Sequence, residues 1–225
     1  MRIPYKSANE TFTEDQIEIK DPFALFEKWF RTATECDAIL EPNAMFLATS
    51  SRYSIPSVRP MLLKGFCEKG FVFYSNYQSR KGKDLEANPN AAVTFYWEPL
   101  RRCVRIEGIV EKISREDTSA YFHSRPHDSQ VAAICSLQSK PVASFQDLRT
   151  QYEDLERKYP EGGSVPLPAT WGGYRLVPDR CEFWQGQSSR LHDRILFLRG
   201  NSVKEFDYSK LSQGENSWCY CRLFP

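Results

Sequence analysis

The chain is poor in histidine and lacks the sequence patterns of the commonest metal and nucleotide sites. Three histidines occur in 225 residues, and none stands with a carboxylate or a cysteine at metal-ligand spacing. The seven cysteines are scattered and include no CxxC pair. The glycine-rich GxGxxG and GxxxxGK[ST] loops are absent, as are the GxSxG and HExxH motifs of hydrolases. These absences argue against a metal site, a Rossmann or P-loop nucleotide site, and hydrolytic catalysis.

Long apolar runs are missing too, and the charges nearly balance. No run approaches the length of a membrane span, and the first 20 residues are polar, unlike a signal peptide or an arginine-rich transit sequence. We therefore expect a cytosolic (cytoplasmic) protein with reduced cysteines and no membrane partner. A net charge of +1 argues against general nucleic-acid binding. Basic clusters at 80–83 and 101–105 suggest small anionic ligands, although a solvated charged face also explains any one cluster.

What is present indicates one α+β domain that is mainly β. Residues 1–20 are interpreted as a flexible tail and residues 21–225 as a single domain. Short β-rich runs between residues 44 and 113 predict a mostly antiparallel sheet or barrel with peripheral helices.

Two helices are indicated by their first residues. Asp21 and Pro22 are typical of a helix start, with the aspartate as cap and the proline in the first turn. A later helix is predicted over residues 144–159, and its apolar spacing predicts that one face points inward, formed by Phe145, Leu148, Tyr152, Leu155 and Tyr159.

The segment WQGQSSRLHDR, residues 184–194, combines an indole, two arginines and a histidine. A core strand could not bury Arg190, His192 and Arg194 without a partner for every charge, and a solvated loop has little use for Trp184. The segment therefore indicates a ligand site, with a salt-bridged turn as the alternative.

A phosphate site is indicated at the start of a short helix. Ser79 predicts the N-cap, yet Arg80 and Lys81 follow in the first turn, where the positive end of the helix dipole disfavours cations. A phosphate held by the N–H groups, by both cations and by the hydroxyl of Ser75 or Ser79 removes this conflict. The alternative is a surface helix destabilised by less than about 1 kcal/mol.

The run SVRPMLLK places two cations on one predicted strand. Arg59 and Lys64 have opposite parity, which predicts that they lie on opposite faces and could touch two ligands. A bulge near Pro60, or a strand end in water, would remove that argument.

A second phosphate site is indicated further along. Tyr121 and Arg125 are four residues apart on a helix that Pro126 ends, so they share one face, and Ser129 lies just beyond the turn. A phenol, a guanidinium and a hydroxyl together suit a phosphate monoester.

Taken together, seven motifs resemble the pyridoxine 5'-phosphate oxidase family, and the resemblance runs from about residue 21 to Pro225. The motifs are RPMLLKGF, SRKGKDL, FYWEPL, YFHSRP, WGGYR, EFWQGQSSRLHDR and the terminal RLFP. The resemblance implies a split β-barrel that binds FMN and works as a homodimer with two flavin sites at the subunit interface. It implies oxidation of pyridoxine or pyridoxamine phosphate to pyridoxal phosphate by dioxygen, with release of hydrogen peroxide, and of ammonia from the amine.

The resemblance also assigns residues to three roles. The FMN set, with its basic members chiefly at the phosphate, is Arg59, Pro60, Met61, Leu62, Tyr74, Ser75, Arg80, Lys81, Gln138, Ser139, Trp184 and Arg194. The substrate set is Lys64, Tyr121, Arg125 and Ser129 at the phosphate, with Arg190, Leu191 and His192 framing the pyridine ring. We expect Arg190 and His192 to orient the ring and manage the alcohol or amine proton, and Arg194 to adjust the electronics of the flavin.

One position departs from the family pattern, because Cys103 stands where the pattern has glutamine. A thiol donates and accepts hydrogen bonds weakly, so the loss of an amide there costs about 0.5–1.5 kcal/mol of flavin binding.

Two other functions compete with the oxidase. A protein that binds pyridoxal phosphate or flavin without turnover is suggested by Cys103. A single-stranded nucleic-acid module could use Tyr96 and Trp97 beside Arg101 and Arg102.

Overall fold

The computed structural model of the protein describes residues 11–225. The helices in this range are α1 Pro22–Thr34, α2 Arg80–Ala87, α3 Arg115–Ser124, α4 His127–Cys135 and α5 Phe145–Lys158. The strands in this range are β1 Ala44–Ser50, β2 Pro56–Leu62, β3 Gly65–Cys67, β4 Gly70–Asn76, β5 Asn90–Trp97, β6 Arg102–Lys112, β7 Trp171–Gln185, β8 Asp193–Leu198, β9 Ser212–Gln213 and β10 Cys219–Arg222.

The strands form one sheet in which every described pairing is antiparallel. Its order is β2-β1-β5-β6-β7-β8-β10-β9, and β4 joins β7 while β3 joins β4. The predicted α+β class, mainly antiparallel with peripheral helices, is confirmed. Strand β2 lies at an edge, which is where a strand tolerates Pro60, and its register with β1 runs from residue 56 to 62 without a bulge.

The sheet divides at strand β7. One edge of β7 pairs with β6, while the other pairs with β4 through residues 171–176 and with β8 through residues 180–185. The register between β6 and β7 shifts at this point, because Glu107 pairs with Arg180 and Gly108 with Pro178, which leaves Asp179 as the extra, bulged residue of β7. A Cβ atom at Gly108 would lie 2.1 Å from the carbonyl oxygen of Val177, so this close approach of the two strands requires glycine.

Helix α1 fills the core beneath the sheet and begins as the sequence predicts. The Asp21 carboxylate accepts hydrogen bonds from the backbone N–H groups of residues 23 and 24, at 2.8 and 3.1 Å. Phe26 is fully buried, with its ring centroid 4.9 Å from that of Phe71 and 5.1 Å from that of Phe95. Edge-to-face contacts of this kind strengthen the packing beyond the area they bury.

Residues 11–20 differ from the flexible tail predicted for residues 1–20. Phe12 and Ile17 are buried in the main core, and a 3-10 turn, Glu14–Gln16, lies between them. The ring of Phe12 packs edge-on against Trp29 at 5.1 Å. The polar composition of the segment gave no indication that Phe12 and Ile17 would be buried. Their burial in the core holds the segment in place. Residues 1–10, the rest of the predicted tail, lie outside the described residues.

Helix α5 has the predicted ends and part of the predicted inner face, because Tyr152, Leu155 and Tyr159 are packed against a core cluster. The hydroxyl of Ser144 accepts a hydrogen bond from the N–H of Asp147, which confirms the cap. Phe145 is 76% exposed and Leu148 40% exposed, so the prediction that they face inward is wrong. Only later residues of the helix pack, because the cluster around Phe122 and Trp171 reaches no further along it. No helix within residues 11–225 is long and apolar enough to span a bilayer.

Candidate functional site

The N-terminus of α2 gathers cations as the sequence predicts. The hydroxyl of Ser79 accepts a hydrogen bond from the N–H of Gly82 at 3.2 Å, which confirms the cap. Arg80 follows as an exposed side chain and Lys81 as a buried one. The first turn therefore combines the positive end of the helix dipole with two cations, which is an arrangement that favours an anion.

Lys81 is held by polar side chains that come from two other parts of the chain. Its Nζ lies 3.2 Å from Oγ of Ser75 on β4 and 2.8 Å from Oε1 of Gln138, in the segment after α4. The Ser75 hydroxyl donates to the same Gln138 oxygen at 3.1 Å. The N–H of Arg80 donates to Oγ of Ser139 at 3.2 Å. Five predicted residues thus meet at one point, and we call Ser75, Arg80, Lys81, Gln138 and Ser139, together with Arg59, the α2 cluster.

Arg59 reaches this cluster from β2. Its Nη1 donates to Oγ1 of Thr49 at 2.7 Å, and its Nη2 lies 3.9 Å from a carboxylate oxygen of Asp84. Burial, and secondly the charge of Arg59, lowers the pKa of Lys81 to about 8. Burial penalises the ammonium form of Lys81 and the charge of Arg59 adds to that penalty, so a bound anion would favour the charged form. The dianionic phosphate of a mononucleotide such as FMN fits this set of donors.

The remaining predicted residues of β2 lie beside Arg59 at the edge of the sheet. Pro60 is exposed, and Met61 and Leu62 are half-buried. An edge strand has backbone N–H and C=O groups that the sheet does not use, so this segment can contact a ligand through its main chain.

A second group of predicted residues surrounds Trp171, which the sequence analysis did not single out. The rings of Tyr74 and Tyr121 stack at 3.9 Å, and Tyr74 stacks on Trp171 at 5.3 Å. The guanidinium carbon of Arg125 lies 4.8 Å from the centroid of Trp171. Tyr121 and Arg125 therefore do share a face, and we call these four residues the aromatic cluster.

Arg125 carries a polar atom that the described residues do not satisfy. Its Nη1 is buried and has no hydrogen-bond partner there, and burial lowers the pKa of the side chain. A buried guanidinium nitrogen without a partner is costly, and an anionic ligand is the partner it suits. Nε2 of His127, two residues on, is buried and unsatisfied in the same way. No sequence pattern predicted a ligand contact for His127.

Lys64 and Ser129 are less closely tied to the aromatic cluster. The strand ends at Leu62, so the prediction that Arg59 and Lys64 occupy opposite faces of one strand is wrong, because Lys64 lies beyond the strand. Its side chain is exposed, and its N–H donates to the carbonyl of Val72 at 2.8 Å. Ser129 is half-buried in the first turn of α4.

A third group lies across four neighbouring strands, β5 to β8, in the middle of the sheet. Cys103 pairs with Trp184, which pairs with Arg194. With Tyr96 they line a cavity of about 390 Å³, and we call these four residues the strand cluster. Nε of Arg194 donates to Oε1 of Glu182 at 2.6 Å, and its Nη1 donates to the carbonyl of residue 224 at 2.8 Å. Burial raises the pKa of Cys103 to about 11, so its thiol stays protonated.

The loop between β7 and β8 carries the other predicted site residues. Arg190 is exposed with a φ of +66°, a left-handed conformation that is unusual for any residue other than glycine. Leu191 is exposed as well, and the His192 ring lies 4.9 Å from that of Trp184. The N–H of Gln187 donates to Nδ1 of His192 at 3.0 Å. Because a backbone N–H can only donate, Nδ1 is the acceptor and the neutral ring carries its proton on Nε2.

The α2 cluster and the strand cluster face opposite sides of the sheet. Arg59 pairs with Leu47, which faces the core with Val93. Tyr96 and Cys103 pair with each other. Because Tyr96 is three residues from Val93 on β5, it lies on the other face of the sheet. Alternation along strands therefore places these two clusters on different faces of one chain.

The surface suggested for single-stranded nucleic acid is not formed. Trp97 is 2% exposed, and its indole N–H donates to the carbonyl of Pro42. Arg102 packs on the buried ring of Trp29 at 4.5 Å, and Arg101 pairs with Glu98. Stacking platforms need exposed aromatic faces, and of the two predicted rings only Tyr96 is exposed.

Two regions of the chain match known protein families. Residues 32–158 match the family described as Pyridoxamine 5'-phosphate oxidase, and residues 171–225 match the pyridoxine 5'-phosphate oxidase C-terminal dimerisation region. The chain is 51% identical, over 226 residues, to a pyridoxine/pyridoxamine 5'-phosphate oxidase of Bombyx mori, covering 100% of this chain and 88% of that protein.

Two solved structures are similar in fold. PhzG from Burkholderia lata 383, in complex with tetrahydrophenazine-1-carboxylic acid, has a TM-score of 0.83 and 25% identity, covering 98% of this chain and 100% of that one. A pyridoxamine 5'-phosphate oxidase-related, FMN binding protein from Nostoc punctiforme has a TM-score of 0.67 and 15% identity, covering 89% and 97%, so it bears on the fold alone. The matched regions and the full-length identity show that the chain belongs to the pyridoxine 5'-phosphate oxidase family.

Proposed function

We propose that this chain oxidises pyridoxine 5'-phosphate and pyridoxamine 5'-phosphate to pyridoxal 5'-phosphate, with FMN as its cofactor. The substrate would lose a hydride from its exocyclic carbon and a proton from its hydroxyl or amino group. FMN would supply the two-electron acceptor, and dioxygen would take up both electrons and two protons as hydrogen peroxide. The amine substrate would take up water and release ammonia. The buried Lys81, with its lowered pKa and its contacts to Ser75 and Gln138, is the observation that carries the cofactor assignment.

The α2 cluster is assigned to the FMN phosphate. Lys81 and Arg59 supply charge, the hydroxyl groups of Ser75 and Ser139 supply hydrogen bonds, and Arg80 extends from the helix start. Pro60, Met61, Leu62 and Tyr74 are assigned to the rest of the cofactor, because they flank Arg59 and Ser75 on β2 and β4.

A homodimer would complete the flavin site. Trp184, Arg194 and Cys103 lie on the opposite face of the sheet from the α2 cluster, so one chain cannot direct both groups at one ligand. That face also exposes Phe46 and Val58, which suits an interface. The match of residues 171–225 to a dimerisation region supports a second copy as the source of the missing half.

Substrate is assigned to the aromatic cluster and to the loop between β7 and β8. Tyr121, Arg125, Ser129 and Lys64 would bind its phosphate, and the unsatisfied Nη1 of Arg125 supports that role. Arg190, Leu191 and His192 would frame the pyridine ring. His192 would donate from Nε2, and Arg190 would hold the ring so that the reacting carbon meets the flavin, while Arg194 tunes the flavin through its charge.

The experiment is to purify the protein and measure flavin content, oxygen consumption and peroxide with pyridoxine phosphate. We expect yellow protein and one peroxide for each pyridoxal phosphate formed. Colourless protein that stays inactive after addition of FMN would overturn the proposal. Stoichiometric retention of ligand without peroxide formation would favour the non-catalytic binding protein instead, provided that Cys103→Gln restores peroxide formation.

The homodimer has its own test, because the two halves of the site can be damaged separately. We expect chains carrying Lys81→Ala and chains carrying Arg194→Ala to be weakly active alone. A mixed dimer of the two contains one undamaged site, so activity should return on co-expression. No recovery in a proven mixed dimer would place both halves in one chain.

A further inference from the structure

The carboxylate of Asp193 is buried at the base of the loop between β7 and β8 and is fully engaged. The residue is 5% exposed. Its Oδ2 accepts hydrogen bonds from Nε2 of Gln187 at 2.7 Å and from the N–H of Phe12 at 2.9 Å. Its Oδ1 accepts from Nη1 of Arg222 at 2.8 Å. A buried carboxylate with three donors fixes the relative position of the three segments that supply them.

Arg222 extends this network to the N-terminal segment. Its Nε and Nη2 donate to the two carboxylate oxygens of Glu14 at 2.9 and 3.0 Å, and Nη2 also donates to the carbonyl of Phe12 at 3.0 Å. A two-point pairing of this kind sets orientation as well as distance. The 3-10 turn Glu14–Gln16 is thereby tied to β10 and, through Asp193, to β8.

The same network sets the shape of the loop that carries Arg190 and His192. Gln187 donates its side-chain N–H to Asp193 and its backbone N–H to Nδ1 of His192. The carbonyl of Gln187 also accepts the N–H of Arg190 at 3.3 Å, where the backbone turns left-handed. A residue in this conformation keeps it only when its surroundings hold it there.

We propose that Asp193 is a positioning residue for Arg190 and His192, and that Glu14 and Arg222 make the N-terminal segment part of the same device. This rests on the proposed function, in which Arg190 and His192 frame the substrate. Asp193 acts through Gln187, because its two carboxylate oxygens are taken up by donors from Gln187, Phe12 and Arg222. Loosening the network misplaces the two ring-binding side chains and leaves the α2 cluster, and so FMN retention, intact.

The test compares Glu14→Gln with Glu18→Gln in the full-length FMN-loaded protein. Both replace a carboxylate by an amide in the same segment, but Glu18 pairs only weakly with exposed Lys28, at 3.4 Å. For Glu14→Gln we expect KM for pyridoxine phosphate to rise about 3- to 10-fold, with flavin content unchanged. For Glu18→Gln we expect wild-type constants. Asp193→Asn should lower kcat/KM by about 10- to 100-fold, and Arg222→Lys, which keeps one ion pair, should lose less than Arg222→Met.

A readout that needs no activity separates this inference from the proposed function. Arg190 is exposed in the loop, so trypsin cleavage after it, followed by mass spectrometry of the peptide that ends there, reports how firmly the loop is held. We expect cleavage several-fold faster in Glu14→Gln than in wild type or Glu18→Gln. Unchanged cleavage and unchanged KM in both Glu14→Gln and Asp193→Asn would overturn the positioning role. If Glu14→Gln is cleaved faster than the wild type but the wild-type protein oxidises no substrate, the result counts against the proposed function alone.

Discussion

The ammonium nitrogen of Lys81 lies 2.8 Å from Oε1 of Gln138, and this pair of side chains joins the start of α2 to the segment after α4. The amide oxygen offers only a partial negative charge to a buried cation that also lies near Arg59. The pair is therefore incomplete in electrostatic terms, and a phosphate completes it.

Lys81→Ala should weaken FMN binding much more than it slows the reduction, by substrate, of the flavin that remains bound. Removing a charged hydrogen-bond donor from a phosphate costs about 1.5–3 kcal/mol, which is roughly a 10- to 100-fold rise in Kd. Flavin titration followed by fluorescence gives the Kd, and single-turnover reduction by substrate gives the rate. Arg190→Ala is the counterpart and should damage turnover while FMN stays bound. If both variants lost only flavin, the division of roles would be wrong.

FMN affinity should fall as the pH rises above about 8. The pKa of Lys81 in the ligand-free protein is lowered to about 8, so above that pH the side chain is neutral and must gain a proton to pair with the phosphate. We expect Kd to be about tenfold higher at pH 9 than at pH 7. Lys81→Arg, which stays charged across this range, is the control and should show a flat profile. A wild-type profile as flat as that of the control would contradict the assignment.

Cys103→Gln should strengthen the flavin site. The buried thiol stays protonated, because its pKa is raised to about 11, and it hydrogen-bonds weakly. An amide at this position should gain about 0.5–1.5 kcal/mol, or roughly a 2- to 10-fold lower Kd for FMN. Cys67→Ser, at an exposed position outside the three clusters, serves as the control for loss of a thiol. A Kd that rises in Cys103→Gln would show that the cavity beside Trp184 has no room for an amide.

Gly82→Ala should disrupt the phosphate site through the backbone. A Cβ atom there would lie 2.1 Å from the carbonyl oxygen of Tyr77, which forces the first turn of α2 to move. We expect loss of FMN together with a lower melting temperature in the absence of flavin. Gly65→Ala is the matched control, because its Cβ meets nothing within 4 Å. Equal flavin affinity in the two variants would mean that the start of α2 can move without consequence for the ligand.

Local chemistry made much of this fold and site predictable. Asp21 and Ser79 cap their helices because a short polar side chain at this position accepts a hydrogen bond from a backbone N–H of the first turn. The conflict between the dipole and the cations of Arg80 and Lys81 pointed to an anion, and the structure adds Ser75 and Gln138 around them. The long motif at residues 184–194 was informative because so many charges need partners.

What escaped prediction depends on residues far apart in the sequence. Phe12 and Asp193 are 181 residues apart, and Glu14 and Arg222 are 208 apart, so no local pattern reveals either contact. Spacing alone suggested a buried face for Phe145, but helical periodicity does not say how far a neighbouring cluster extends. The opposite faces of the α2 and strand clusters follow from strand register, which the sequence does not give directly.

Inside the folded chain, Lys81 and Arg59 repel each other until a dianion binds between them, so binding of the dianion stabilises the folded state. Each tenfold excess of such a ligand over its Kd adds about 1.4 kcal/mol to the free energy of unfolding. With FMN as that dianion, as we propose, the melting temperature should rise with flavin concentration, and the flavin-free protein should unfold more readily.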